Sequence, residues 1–143
     1  MENIELNPNS DFLEIVQKDV YDYCSLSLED KGNDDAANNP DLPNRDLNKN
    51  LIIAGLKNKI QYYLPLLQNK IIQYEQFIKM YTDNGMVKTA APFETKRENY
   101  KNELGALKKL LEDDTAIEEK LHWTLLSYEI GFNNGMQKYL LKF

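Results

Sequence analysis

The chain is poor in the residues that most often carry chemistry. Its 143 positions hold one cysteine, one histidine, one tryptophan and two arginines. A single thiol, Cys24, excludes an internal disulfide and a cysteine-based zinc site. A single imidazole, His122, leaves Glu119-Lys-Leu-His122 without the second Glu-x-x-His segment and the two further glutamates that a di-iron bundle needs. We read it as a surface or boundary histidine. Any Ser-His-Asp or Cys-His arrangement would have to use the same imidazole, and Cys24 lies beside an apolar stripe, where a thiol acts as a small hydrophobe. There is no GxSxG elbow, no glycine loop for phosphate and no dinucleotide fingerprint. We therefore assign no catalytic residue, no cofactor and no metal, and expect a protein that is not an enzyme.

Long apolar runs are also missing. The longest, 51–54, has four residues, against the roughly 20 needed to span a bilayer. The opening MENIELNPNS is acidic and has no apolar stretch of a secretory signal, so the expected location is cytoplasmic. With glycine counted and tyrosine left out, the apolar residues make up 40% of the chain, below the usual share of about 45–50%. A core can be built with little to spare, which leaves room for a partner or a second copy to complete it. Lysine outnumbers arginine 15 to 2 and asparagine occurs 16 times, the signature of an AT-rich genome such as that of a bacterium, a phage or a protist. Bidentate recognition of phosphate or guanine then has only Arg45 and Arg97 to draw on.

What is present is charge, unevenly spread. The net charge is −6, yet residues 1–46 hold 12 acidic and 3 basic groups while residues 47–143 hold 11 and 14. The acids concentrate in DKGNDDAANNPDLPNRD, residues 30–46, which has two prolines and no apolar period. The text predicts a long acidic loop. It lacks the EF-hand order, since Gly32 falls too early and Asp41 stands where a glutamate is required.

The remaining text is helical. Phe12, Val16, Val20 and Tyr23 share one face of a first helix, capped by Ser10 or Asp11 after a flexible arm, 1–9, and stopped by Gly32. Steps of three or four run from Ile53 through Leu56, Ile60, Tyr63, Leu67, Ile71, Tyr74 and Ile78 to Tyr81, with Asp46 as the N-cap and Asn84-Gly85 as the end. Pro65 lies inside this long second helix and predicts a kink or break there. Residues 86–91 read as a connection and Pro92 as the first turn of a third helix, carrying Tyr100, Leu104, Leu107 and Leu111. Thr115-Ala-Ile-Glu118 is a capping box for a last helix with Ile117, Leu121, Leu125, Tyr128, Phe132, Met136, Tyr139 and Phe143. Gly131-x-x-x-Gly135 has the spacing of a small-residue contact face, but in this chain it reads as a glycine-loosened terminal turn, which leaves open whether the helix breaks near Gly135. The expected fold is all-α, a single domain built as a bundle of four or five helices.

The function that follows is that of an acidic helical interaction protein, binding another protein through charge. A basic nucleic-acid-handling partner is the natural complement, and inhibitors that phages direct against host defence have this profile. The candidate contacts are Asp30, Asp34, Asp35 and Asp41, with Tyr62 as an exposed aromatic anchor. Removing residues 1–46 should then abolish binding and spare most of the helix. Two alternatives compete. One is direct nucleic-acid binding through Lys96, Arg97, Lys101, Lys108 and Lys109, against which Glu94, Glu98 and Glu103 are interleaved. The other is a self-assembling bundle.

Overall fold

Six helices and no strand make up residues 11–141, the part of the chain described by this computed structural model. The expected arm 1–9, the Ser10 cap and Phe143 lie outside the described residues. The helices are α1 (Phe12–Cys24), α2 (Glu29–Asn38), α3 (Leu42–Asp83), α4 (Val87–Glu112), α5 (Asp114–Lys120) and α6 (His122–Leu140). The all-α expectation holds, with six helices in place of four or five. No described helix is long and apolar enough to cross a membrane. Where the sequence suggested one domain, the chain gathers into two compact units, Met1–Gln17 with Ile60–Glu112 and Lys18–Lys59 with Asp113–Phe143. Helices α1 and α3 each contribute to both.

In the first unit, the first half of α1 and the second half of α3 meet α4. Asp11 caps α1, its Oδ1 accepting the Leu13 N–H at 3.0 Å. Phe12, Val16, Ile60, Tyr63, Leu67, Ile71, Ala90, Tyr100 and Leu107 are buried here. Of the kink or break expected at Pro65, the break does not occur: α3 runs through the proline. One missing backbone bond costs about 3 kcal/mol. Burial of Ile60, Leu67 and Ile71 on both sides of the proline, at roughly 1.5–3 kcal/mol each, outweighs that cost. The helix ends in a Schellman turn. Gly85 takes φ +71°, Met86 N–H reaches the Tyr81 carbonyl at 2.8 Å and Gly85 N–H that of Thr82 at 3.0 Å. Helix α4 then starts at once, so residues 87–91 are helical instead of a connection and Pro92 lies inside it. Rings of Tyr74, Phe77 and Tyr81 gather around Phe93 with centroids 5.5–6.2 Å away, and Tyr74 stacks on Tyr100 at 5.2 Å.

In the second unit, the long acidic loop is corrected to helix. Residues 29–38 form α2, and only 39–41 separate it from α3. Gly32 does not end α1, which stops at Cys24, but lies buried inside α2. No apolar stripe drives α2. Its first turn holds Glu29 and Asp30, which favour the positive end of the helix dipole, and Lys31 pairs with Asp35 at 3.2 Å. What holds it is α6. Gly32 and Ala36 of α2 are buried against Gly131 and Gly135 of α6. A Cβ on Gly131 would run into the Glu29 carbonyl, and one on Gly32 into the Tyr128 carbonyl. One on Gly135 would lie 2.8 Å from the Ala36 Cβ. The Gly131-x-x-x-Gly135 spacing is thus a contact face, and α6 passes through Gly135 without a break.

Two buried hydroxyls of α6 hold the link between α1 and α2. Thr124 Oγ1 donates to the Cys24 carbonyl at 3.0 Å. Ser127 Oγ accepts the Leu28 N–H at 2.9 Å and donates to the Thr124 carbonyl at 2.9 Å. Around them Val20, Cys24, Ile52, Leu56, Ile117, Leu121 and Phe132 fill the core. The cap of α5 is Asp113, which accepts the Ala116 N–H at 3.1 Å, so the Thr115–Glu118 capping box is not used. The expected last helix divides at Leu121, although the Leu121 and Leu125 amides keep the helical pattern across it.

Two outcomes follow. Gly131→Ala should lower stability by about 1–3 kcal/mol through overpacking, net of any helix propensity gained, whereas Gly105→Ala, facing open space, should raise it by up to about 1 kcal/mol; urea midpoints by circular dichroism measure both. The buried Tyr100 hydroxyl donates to Asp11 Oδ1 at 2.7 Å and accepts the Leu13 N–H at 3.2 Å. Burial first, then the bond to Asp11, pushes its ionisation far above the ordinary tyrosine range. The unfolded chain ionises this group near pH ~10 and the folded chain does not, so its contribution is complete below that pH and is lost as pH rises above it. The fall in urea stability between about pH 9 and about pH 11 should be shallower in Tyr100→Phe than in the parent.

Candidate interaction surface

The helical period of α2 sorts its acids into two kinds. Gly32 and Ala36 face α6, which turns Asp30 and Asp34, four residues apart, to the exposed side; Glu29, whose backbone meets Gly131, is exposed as the first residue of the helix. Among the described residues, Glu29, Asp30 and Asp34 have no hydrogen-bonded or ion-paired side chain. Asp35 is different. Its Oδ2 receives the Tyr128 hydroxyl at 2.7 Å, Lys31 Nζ at 3.2 Å and Asn48 Nδ2 at 3.4 Å. Asn48 also donates to the Tyr128 hydroxyl at 2.7 Å. Burial, and then the bond to Asp35, pushes Tyr128 ionisation well up, so the hydroxyl stays a donor to the carboxylate. Asp35 therefore ties α2 to α3 and α6, and is not a free contact.

The other expected contacts also separate. Asp41 Oδ1 accepts the Asn44 N–H at 2.6 Å, so Asp41 caps α3 and Asp46, the expected cap, lies inside the helix. Tyr62 belongs to the first unit, is half-buried and sits edge-on to Tyr63 at 5.2 Å. The acids all belong to the second unit. The exposed aromatics among the described residues are instead Tyr21, Trp123, Phe77 and Tyr139, of which Tyr21 and Trp123 are the most exposed, at 68% and 51%. A signal for Trp123 was present in the sequence: Leu126 and Ile130 follow it at steps of three and four, a second stripe opposite the inner one.

Beside this stripe, α3, α5 and α6 enclose an open groove of about 410 Å³. Ile53, Leu125 and Leu126 line it with Asp46, Lys49, Glu118, His122 and Glu129. Glu129 is taken up by Lys49 at 2.9 Å and Arg45 at 3.3 Å. His122 is exposed on the groove wall. No cluster of three or more His, Cys, Asp or Glu among the described residues is arranged to hold a metal ion. Cys24 is buried, and burial pushes its thiol up, away from the thiolate that nucleophilic chemistry uses. Arg45 is engaged with Glu129, Asp46 and Asn133, and Arg97 pairs with Glu98 at 3.6 Å, its buried Nε making no hydrogen bond among the described residues. Part of the acidic charge of the N-terminal third is also met internally, as Asp19 pairs with Lys59 at 3.0 Å. No protein-family model matches the chain, and neither does any curated protein or solved structure.

The two neighbouring acids of α2 should respond oppositely to neutralisation. Asp35→Asn should cost about 1–3 kcal/mol, as charge-assisted bonds to a half-buried carboxylate are lost. Asp34→Asn should stay within about 0.5 kcal/mol of the parent. Chemical denaturation of the two variants side by side makes the comparison.

Proposed function

We propose that this protein is a non-enzymatic interaction module that binds a basic protein partner through the exposed acids of α2. The observation that carries this reading is that α2 has almost no apolar surface of its own and is nevertheless held as helix by backbone-close packing on α6. Glu29, Asp30 and Asp34 are thereby offered at fixed spacing, without internal cations to neutralise them. A preformed anionic surface speeds encounter with a cationic one and sets its register. It also resists the ordering cost that a mobile acidic loop would bring to binding. A partner whose own basic groove handles nucleic acid is the complement that this surface fits, and occupation of that groove would inhibit the partner. Direct nucleic-acid binding draws less support, since Arg97 is engaged by Glu98 and the α4 lysines are interleaved with glutamates.

The test is by substitution and not by truncation, because removing residues 1–46 would take α1 and α2 out of the units that they complete. The full chain and its Glu29→Gln/Asp30→Asn/Asp34→Asn variant are immobilised and exposed to extract of the native host at low and raised salt. The expected result is basic protein captured by the parent, lost in the variant and released by salt. Equal capture by both chains, or capture indifferent to salt, overturns the charge-based reading.

A further inference from the structure

Helix α6 carries two apolar stripes and buries one of them. Tyr128 and Phe132, with Leu121 just before the helix, point inward and are fully covered. Trp123, Leu126 and Ile130 lie on the opposite side, exposed to 51%, 39% and 40%. A helix that is apolar on every side is ordinarily enclosed. Here the chain's one tryptophan and two large aliphatic residues stand in a row over two turns, the composition that anchors interfaces.

The charges around that row indicate what covers it. Helix α5, leading into it, holds Asp114, Glu118 and Glu119 against one base, Lys120. Lys57 takes up Asp114 at 2.6 Å, whereas Glu118 and Glu119 have no ion pair among the described residues. On the other flank the Glu29 backbone rests on Gly131, next to Ile130, and begins the acidic turn of α2. An apolar row with acids at its entry and along one side is complementary to apolar side chains flanked by cations. A second copy of this chain would bring the same acids against one another.

We propose that the outward face of α6 is the docking surface for an amphipathic basic helix of the partner, whose apolar side chains cover Trp123, Leu126 and Ile130 while its Lys or Arg side chains meet Glu118, Glu119 and the acids of α2. This rests on the reading of a basic partner and names the form that the partner takes.

Because Trp123 is the only tryptophan, its emission reports directly on the surface. The full chain is titrated with a synthetic Leu/Lys amphipathic helical peptide and, separately, with polylysine of equal charge. The peptide should shift Trp123 emission to the blue and polylysine should not. Leu126→Gln/Ile130→Gln, or the corresponding alanine pair, should weaken the peptide at least about tenfold, the loss of a single interface anchor of ~1.4 kcal/mol, with unchanged far-ultraviolet circular dichroism. Peptide and polylysine binding alike, with no emission shift and with salt release, overturns the docking surface but leaves the acidic reading standing. Failure of both ligands to bind overturns both. A blue shift that grows with the concentration of the chain alone, as its mass in solution doubles, assigns the row to a second copy and overturns the proposal.

Discussion

The approach of α2 to α6 at van der Waals distance of their backbones is the constraint on which the second unit depends. Gly32 and Ala36 meet Gly131 and Gly135, and the carbonyls of Glu29 and Tyr128 occupy the space where side chains would otherwise stand. Little hydrophobic area is gained by covering glycine and alanine. The attraction is the sum of many close contacts, which the absence of Cβ atoms makes available. The same approach places Asp35 under the Tyr128 hydroxyl and lets Ser127 reach the Leu28 amide. A polar segment thus becomes part of the fold without contributing a hydrophobic side chain larger than alanine.

Polar groups carry more of the tertiary specificity here than the thin apolar content would suggest. Tyr100 and Tyr128 are the largest fully buried side chains along with Phe132, and each hydroxyl finds an aspartate, Asp11 or Asp35. Each bond links residues nearly ninety or more positions apart in sequence. A buried hydroxyl with a carboxylate acceptor is satisfied and directional, so it selects one register of packing where an aliphatic pair would accept several. The internal use of Asp11, Asp19, Asp35 and Asp41 also explains why the acidic excess of the N-terminal third does not translate into an equally acidic surface. Within the second unit, the acids left without an ion pair or hydrogen bond among the described residues are few: Glu29, Asp30 and Asp34 of α2 and the Glu118–Glu119 pair of α5.

The helical stripes were legible from spacing alone, because the positions buried in α3 and α6 recur at steps of three and four. The Asn84-Gly85 stop and the Asp11 cap were legible from local chemistry. Asp113 was not, since Thr115 and Glu118 offered an equally good local pattern and only the actual helix start decides between them. Neither Pro65 nor Pro92 interrupts its helix, for one reason: the local cost of a proline is fixed, but the burial on either side that offsets it depends on other helices. The place of Tyr62 off the main stripe predicts exposure, yet its ring packs edge-on to Tyr63 and is half-buried.

By itself, the sequence determined that the protein is helical, where most of its buried positions lie, and which chemistries a chain with one thiol and one imidazole does not support. Those properties are local or compositional, set by side-chain period and residue count. Only the tertiary structure decided that residues 29–38 are helix, that the Gly131–Gly135 spacing is a contact face, and which acids remain free. Those depend on a surface formed by residues about a hundred positions away, and a glycine gives no sign in the text of whether it loosens a helix or admits a neighbour.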